Sequence, residues 1–408
     1  MPAQTKYNAA CLQKRLWAPD KVTFKTSVKT PGTELGKNMI YQYSEDQNAF
    51  RDSLRRFVQD HYDYESRRQR VAKSAVFSPD YWRQLAELGV LGLAFSEADG
   101  GLDLDFPYLM AVAEELGRGL VLEPILPVTI AGRLLAASTN RTAKNHLAGL
   151  IAGETLVSLA WEEASARGNP LLTQCKLEPS GASYILNGKK QAVLAAAESH
   201  LYIVSARNSD GELTLLLLDA AQAGISQRRY LLSDGNSAAD LEFNNSELPA
   251  SAIIASGAQA EALLKMAVSE SIVVMAAEAI GAMDQLLKIT QEFLQTRKQF
   301  AMPLAMFQAL QHRFADMVIA TEKLRSLLWA ACQQLGGNSQ EKAVAQLKVQ
   351  LGESARYVGQ QAVQLHGGIG MTDELNVGAY FKRLTVMELL AGQQDYHLGK
   401  LADLALAS

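Results

Sequence analysis

The chain has 408 residues, 48% of them hydrophobic and 20% charged, with a net charge of −4 and a pI near 6.0. That length exceeds one ordinary domain, so two or three are expected. The mild acidity excludes a general nucleic-acid or anionic-membrane surface, and no apolar run reaches the length of a membrane span.

Cys11, Cys175 and Cys332 are odd in number and widely spaced. They form neither a disulfide framework nor a metal motif, which fits a reducing cytoplasm. His61, His146, His200, His312, His366 and His397 show no H-E-x-x-H or similar spacing, and no metal site is expected.

Residues 1–38 hold seven Lys or Arg against two acids and show no periodicity. They lack the apolar centre of a secretory signal. They read as an appended, disordered or mis-assigned extension before Met39. A helical domain over 39–155 follows. Ser44 caps its first helix with Gln47 as a capping box, and Phe50, Leu54, Phe57 and Val58 form the buried stripe. Ser78-Pro79 starts another helix, which ends at Gly89. Glu97 to Gly101 is a loop. Further helices are expected over Pro107–Leu116, Pro127–Ala137 and Ala143–Leu150.

The pattern changes near Leu156, and residues 156–254 read as a small β-domain, a barrel or sandwich. Val157 to Trp161 alternates like a strand. Asn187-Gly188 after Tyr184-Ile185-Leu186 is a hairpin signal. Strands are expected over Leu201–Ala206, Leu213–Leu218, Ile225–Tyr230 and Ala239–Phe243, with a turn at Asn208 to Gly211. From residue 255 to 408 the chain is helical: one helix from Gly257 to about Phe293, then Pro303–Gln334, Gln340–Leu365 and a last one between Asp373 and Leu404. Four long helices with short loops make a four-helix bundle. The class is α+β, mainly α.

Gln360 to Thr372 runs from a helix end into a glycine corner at Gly367, Gly368 and Gly370. An isolated Gly-Gly there is ordinarily a helix C-cap. The stretch is not a dinucleotide fingerprint, because a helix precedes it and Asp373 stands where the last glycine should be. Upstream lie Arg297-Lys298-Gln299-Phe300 and Phe307-Gln308-Ala309-Leu310-Gln311-His312-Arg313. Together, R-K-Q-F, F-Q-A-L-Q-H-R and Q-L-H-G-G-I-G-M-T resemble the acyl-CoA dehydrogenase family. The resemblance runs from about Tyr41 to the C-terminus. It is nearest to the smaller subunits of heteromeric members acting on dicarboxylyl (pimeloyl-type) or steroid side-chain CoA thioesters.

The resemblance implies FAD held between the β-domain and the bundles of two subunits. It implies that Arg297 pairs with the FAD pyrophosphate across a subunit interface, as suits a fixed fork of donors. Phe300, Phe307 and Gln308 would line that pocket, and Gln364, Gly367 and Gly368 the adenine-side corner. It implies an acyl-CoA substrate, and an electron-transfer flavoprotein or similar acceptor. The assembly would be a homodimer or tetramer, or a heterotetramer with a catalytic homologue.

Desaturating a thioester needs a carboxylate base at the α-carbon, and both positions the family uses for it are changed. They fall on Ala391 and Ser271. Glu270, Glu388 and Asp395 are the nearest alternatives, although one helical step turns Glu270 about 100° from Ser271. Ile272 stands where an Arg often meets CoA. The family's Thr-Glu-Pro stretch appears as Glu162-Glu163-Ala164. Its Trp-Ile-Thr after the L-N-G-x-K strand is missing from Gln191 to Ala195. The losses fall on the flavin-ring side, which favours a FAD-linked subunit whose partner supplies the base. A self-sufficient enzyme with an unusual base and a flavin-free structural subunit are the alternatives.

Overall fold

Ser44 opens the first helix, α1 (Glu45–His61), with its side chain on the Gln47 amide and the Gln47 side chain on the Ser44 amide. This is the reciprocal capping box that the sequence announces. The structure, a computed structural model, describes residues 42–407; the readings of residues 1–38 and of a start at Met39 lie outside them. Leu54 and Val58 are buried along α1, while Phe50 and Phe57 are half-buried. Helix α2 (Tyr64–Ala72) was not foreseen. Its mean hydropathy is low and Arg67 is its sole buried residue, donating to the carbonyls of Leu120 and Asp234. Then come α3 (Pro79–Glu87), capped by Ser78, α4 (Phe106–Gly119) and α5 (Ile125–Ala137). The single helix expected over Ala143–Leu150 is instead two short ones, α6 (Arg141–Lys144) and α7 (Leu147–Ile151).

The middle of the chain is one eight-stranded sheet. Its strands are β1 (Val157–Ala160), β2 (Lys176–Ser180), β3 (Ser183–Leu194), β4 (Leu201–Arg207), β5 (Leu213–Asp219), β6 (Ile225–Leu231), β7 (Ser237–Pro249) and β8 (Ile253–Ser256). The order is β6-β7-β3-β2-β4-β5-β8, with β1 parallel to β4 from Val157 opposite Leu201. Asn187-Gly188 is not a hairpin turn. Strand β3 runs straight through it, and the turn joining β2 to β3 lies at Gly181, beyond the Ser180–Ser183 pair. Gly188 has φ 143°, and a Cβ there would overlap Cys175 of the neighbouring segment. The glycine marks a close backbone approach and a bulge, which is the other meaning of Gly inside a strand.

Helix α8 (Gly257–Thr296) is 40 residues long, about 60 Å at 1.5 Å per residue. It is buried almost continuously from Ile272 to Met283, as befits a helix with partners on every side. α4 and α5 lie on it, as do α9 (Gln308–Gln333) and α10 (Gln340–His366). The expected fourth helix is broken in two, α11 (Val377–Leu389) and α12 (Gln394–Leu406). The break falls where Ala391 and Gly392 take φ of 54° and 88°, a left-handed pair that no helix continues through.

Candidate functional site

The break between α11 and α12 faces the sheet, and a chamber of about 80 Å³ lies between them. Leu390 and Ala391 from the break, Ser271 and Met275 from α8, and Pro127 and Ile130 from α5 form its helical walls. Trp161 and Glu162 after β1, with Ala192 to Leu194 at the end of β3, form the other side. Both positions expected for the base therefore meet in one chamber, and neither carries a carboxylate. The Ser271 hydroxyl is turned back onto its own helix and donates to the Ala267 carbonyl at 2.8 Å.

The three alternative carboxylates lie elsewhere. Glu270 is 5% exposed and gripped by the Arg133 guanidinium through two bonds of 2.7 Å. Glu388 is ion-paired with Arg356. Asp395 is exposed in the first turn of α12. None of them lines the chamber.

The carboxylate that does line it is Glu162. Burial pushes it up to about 7, against the pull of the nearby Ala391 backbone amide and of Lys190 and Lys348. Sequence reasoning noted Glu162 only as a misfit for a threonine; its place in the Thr-Glu-Pro stretch was the available signal. Next to it, Glu163 pairs with the fully buried Lys190 at 2.7 Å, and Lys190 also donates to Thr173 and Ser205. This network ties β1, β3 and β4 together behind the chamber.

The break itself is pinned. Lys348 donates to the carbonyls of Met387 and Glu388 at 3.1 and 2.7 Å, ending α11. Burial lowers Lys348 to about 8. The buried His397 holds the Ala391 carbonyl through Nε2 at 2.9 Å, and burial lowers it to about 4. Across the break, a Cβ on Gly168 would overlap the Cα of Gly392, so two backbones touch here. Beyond this contact opens a cleft of about 230 Å³ lined by Gly168, Lys265, Ser269, Ile272, His397 and Lys400 among others.

A second group of expected residues gathers at one end of the bundle. Phe293 near the end of α8 stacks on His366 at the end of α10, ring centroids 4.5 Å apart. Arg313 in α9 bonds Gln361 in α10. Arg297 caps α8, its backbone amide donating to the Phe293 carbonyl; it is exposed, and its side chain has no bond among the described residues. A two-residue turn, Phe300-Ala301, then joins Lys298–Gln299 to Met302–Pro303, both turn residues at positive φ. Such hairpin turns ordinarily carry Asn-Gly. Here a phenylalanine 84% exposed takes the position, edge-on to Phe307 at 6.1 Å. Gln308, Gln364, Gly367 and Gly368 are exposed at the same end. Space is open around Gly367 and Gly368, whereas Gly370 packs against Val363 and His366. Met306 and Met371 add exposed apolar surface.

Among the described residues no group of His, Cys, Asp and Glu could hold a metal, and no helix is long and apolar enough to cross a membrane. Three family models match: the acyl-CoA dehydrogenase N-terminal domain over residues 44–154, middle domain over 162–246 and C-terminal domain over 263–406. A mitochondrial isovaleryl-CoA dehydrogenase of Solanum tuberosum is 24% identical, covering 86% of this chain and 89% of its own. A variant of the steroid ACAD Tcur3481-Tcur3483 superposes with a TM-score of 0.82 at 28% identity, over 89% of this chain and 98% of its own. The ChsE4-ChsE5 complex of Mycobacterium tuberculosis gives 0.84 at 22% identity, over 90% and 99%.

Proposed function

Since the chain belongs to the acyl-CoA dehydrogenase family of FAD-linked oxidoreductases, we propose that it works as one subunit of a two-chain dehydrogenase. In this reading it presents the rim at Arg297 to a FAD whose ring lies against a homologous partner, and the partner supplies the base. One observation carries the reading. Neither Ser271 nor Ala391 puts a carboxylate at an expected base position of the chamber, while Arg297, Phe300, Gln364 and Gly368 stand exposed at the other location.

The residues present fit one half of FAD. Among the described residues the Arg297 guanidinium has no side-chain partner, and it suits a pyrophosphate. The open space at Gly367 and Gly368 admits a close backbone approach. The ring half fits poorly: ligand pockets run to about 300–1,000 Å³, well above this chamber. When bound, FAD supplies the hydride acceptor; Arg297 would orient it by charge. The 28%-identical steroid ACAD carries a paired name, which supports a heteromeric arrangement. The substrate would be a CoA thioester, and an electron-transfer flavoprotein or similar carrier would take the electrons. The cleft beside Ile272 keeps Lys265 and Lys400 near its mouth, although Lys400 is paired with Glu341.

Co-expression with a homologue carrying an intact base tests the proposal. A yellow complex that desaturates acyl-CoA, where neither chain alone does, is the expected result. Full activity of this chain alone would reject it.

A further inference from the structure

The chamber where this chain would seat its own flavin ring is small, and one charged side chain takes up part of it. Glu162 lies two residues beyond β1 and lines the chamber together with Leu390 and Ala391 of the break. It stands on the sheet side of the chamber, with Ala391 on the helical side. Gln191 fixes its backbone by donating to the Glu162 carbonyl at 2.9 Å. Met275 and Leu194 fill the remaining sides. What is left, about 80 Å³, is room for a few waters and not for a fused three-ring system.

The chamber and the cleft share no lining residue. Ser271 lines one and Ile272 the other; Ala391 lines one, and Gly392 beside it touches Gly168, which lines the other.

We infer that Glu162 is an internal plug, whose side chain in the chamber keeps a flavin ring out of this chain's own chamber. Resting on the two-chain reading above, this makes the chain a contributor to the partner's flavin and not a holder of a second one. A glutamate suits the task by its length, since it carries more atoms into the chamber than the threonine the family places at this position.

The test uses the full chain without a partner and riboflavin as the probe. Riboflavin carries the ring but no pyrophosphate, so Arg297 and the partner drop out. Binding is read by quenching of riboflavin fluorescence and of Trp161, which lines the chamber. Glu162→Thr, which shortens the side chain and supplies a hydroxyl donor, is expected to bind riboflavin at least about tenfold more tightly than wild type. Glu162→Ala, lacking the carboxylate as well, gives the same readout should the threonine variant fold poorly. Equal binding by wild type and both variants, whether strong or absent, overturns the plug. The two-chain reading has its own test in the flavin content of the complex, so either can fail without the other.

Discussion

Ser271 on α8 and Ala391 in the break between α11 and α12, 120 positions apart, line the same chamber as Glu162. A carboxylate placed at Ala391 would enter the chamber that already holds Glu162. Like charges at this range disfavour joint ionisation. Ala391 also sits at φ 54°, where a longer side chain is strained. Ala391→Glu is therefore expected to restore little desaturation to the lone chain. General-base catalysis ordinarily contributes about a hundred- to ten-thousand-fold, so a successful rescue would be plain. Flavin bleaching by short, long, dicarboxylyl and steroid CoA thioesters measures it. Rapid bleaching by the lone wild-type chain would show that the base is already present.

Arg297→Ala should empty the complex of FAD without unfolding this chain. The guanidinium has no side-chain partner among the described residues and is exposed. A charge-assisted contact to pyrophosphate is worth about 1.5–3 kcal/mol, so affinity should fall about tenfold or more. The melting temperature of the isolated chain should stay put. Unchanged flavin content in the mutant complex would remove Arg297 from the site.

Much of this layout was legible because it rests on local chemistry. The Ser44 and Gln47 capping box, the Ser78-Pro79 start and the Asn208–Gly211 turn each act within four residues, and each appears in place. What failed depended on neighbours far along the chain. Asn187-Gly188 carries the composition of a tight turn, yet its glycine answers to Cys175 packed against it. The break at Ala391 has no proline to announce it. It is imposed by Lys348 and His397, which take up the carbonyls of Glu388 and Ala391. Glu162 was visible as an oddity, but its meeting with Ala391 required the fold.

Glu270 illustrates the same limit, since one step of sequence decides its role. Beside the expected base position it is held by Arg133 through both guanidinium bonds, and Arg133 also donates to the Ala94 carbonyl. It joins α8 to α5. Breaking a buried pair by removing one partner ordinarily costs about 3–5 kcal/mol. Here the lower end of that range is expected, because a quarter of the Arg133 side chain remains exposed. Glu270→Ala should lower the denaturant midpoint of the isolated chain accordingly. Flavin content of whatever complex still forms should not change. A stable Glu270→Ala chain whose complex loses all activity would instead make Glu270 the base.

Glu162 gives the chain a pH signature that can be read without any ligand. Burial lifts its carboxyl to about 7, with the Ala391 amide, Lys190 on β3 and Lys348 on α10 pulling the other way; the Tyr396 hydroxyl on α12 also faces it. The folded chain therefore holds a proton on Glu162 over a range where the unfolded chain has released it. Stability falls with pH wherever the native state binds more protons. The contribution is fully present below the ordinary carboxylate range and is lost as pH rises through about 7. His397 has the opposite sign, since burial keeps it neutral and costs stability on the acid side, but it is common to wild type and a Glu162→Gln variant. The stability of wild type relative to Glu162→Gln should therefore decline from about pH 5 to about pH 8, by roughly 3 kcal/mol at most. Denaturant melts of the two proteins across that range measure it. A wild-type advantage that grows with pH would mean that Glu162 is ionised and paired with Lys190 or Lys348, and that the chamber holds a charge.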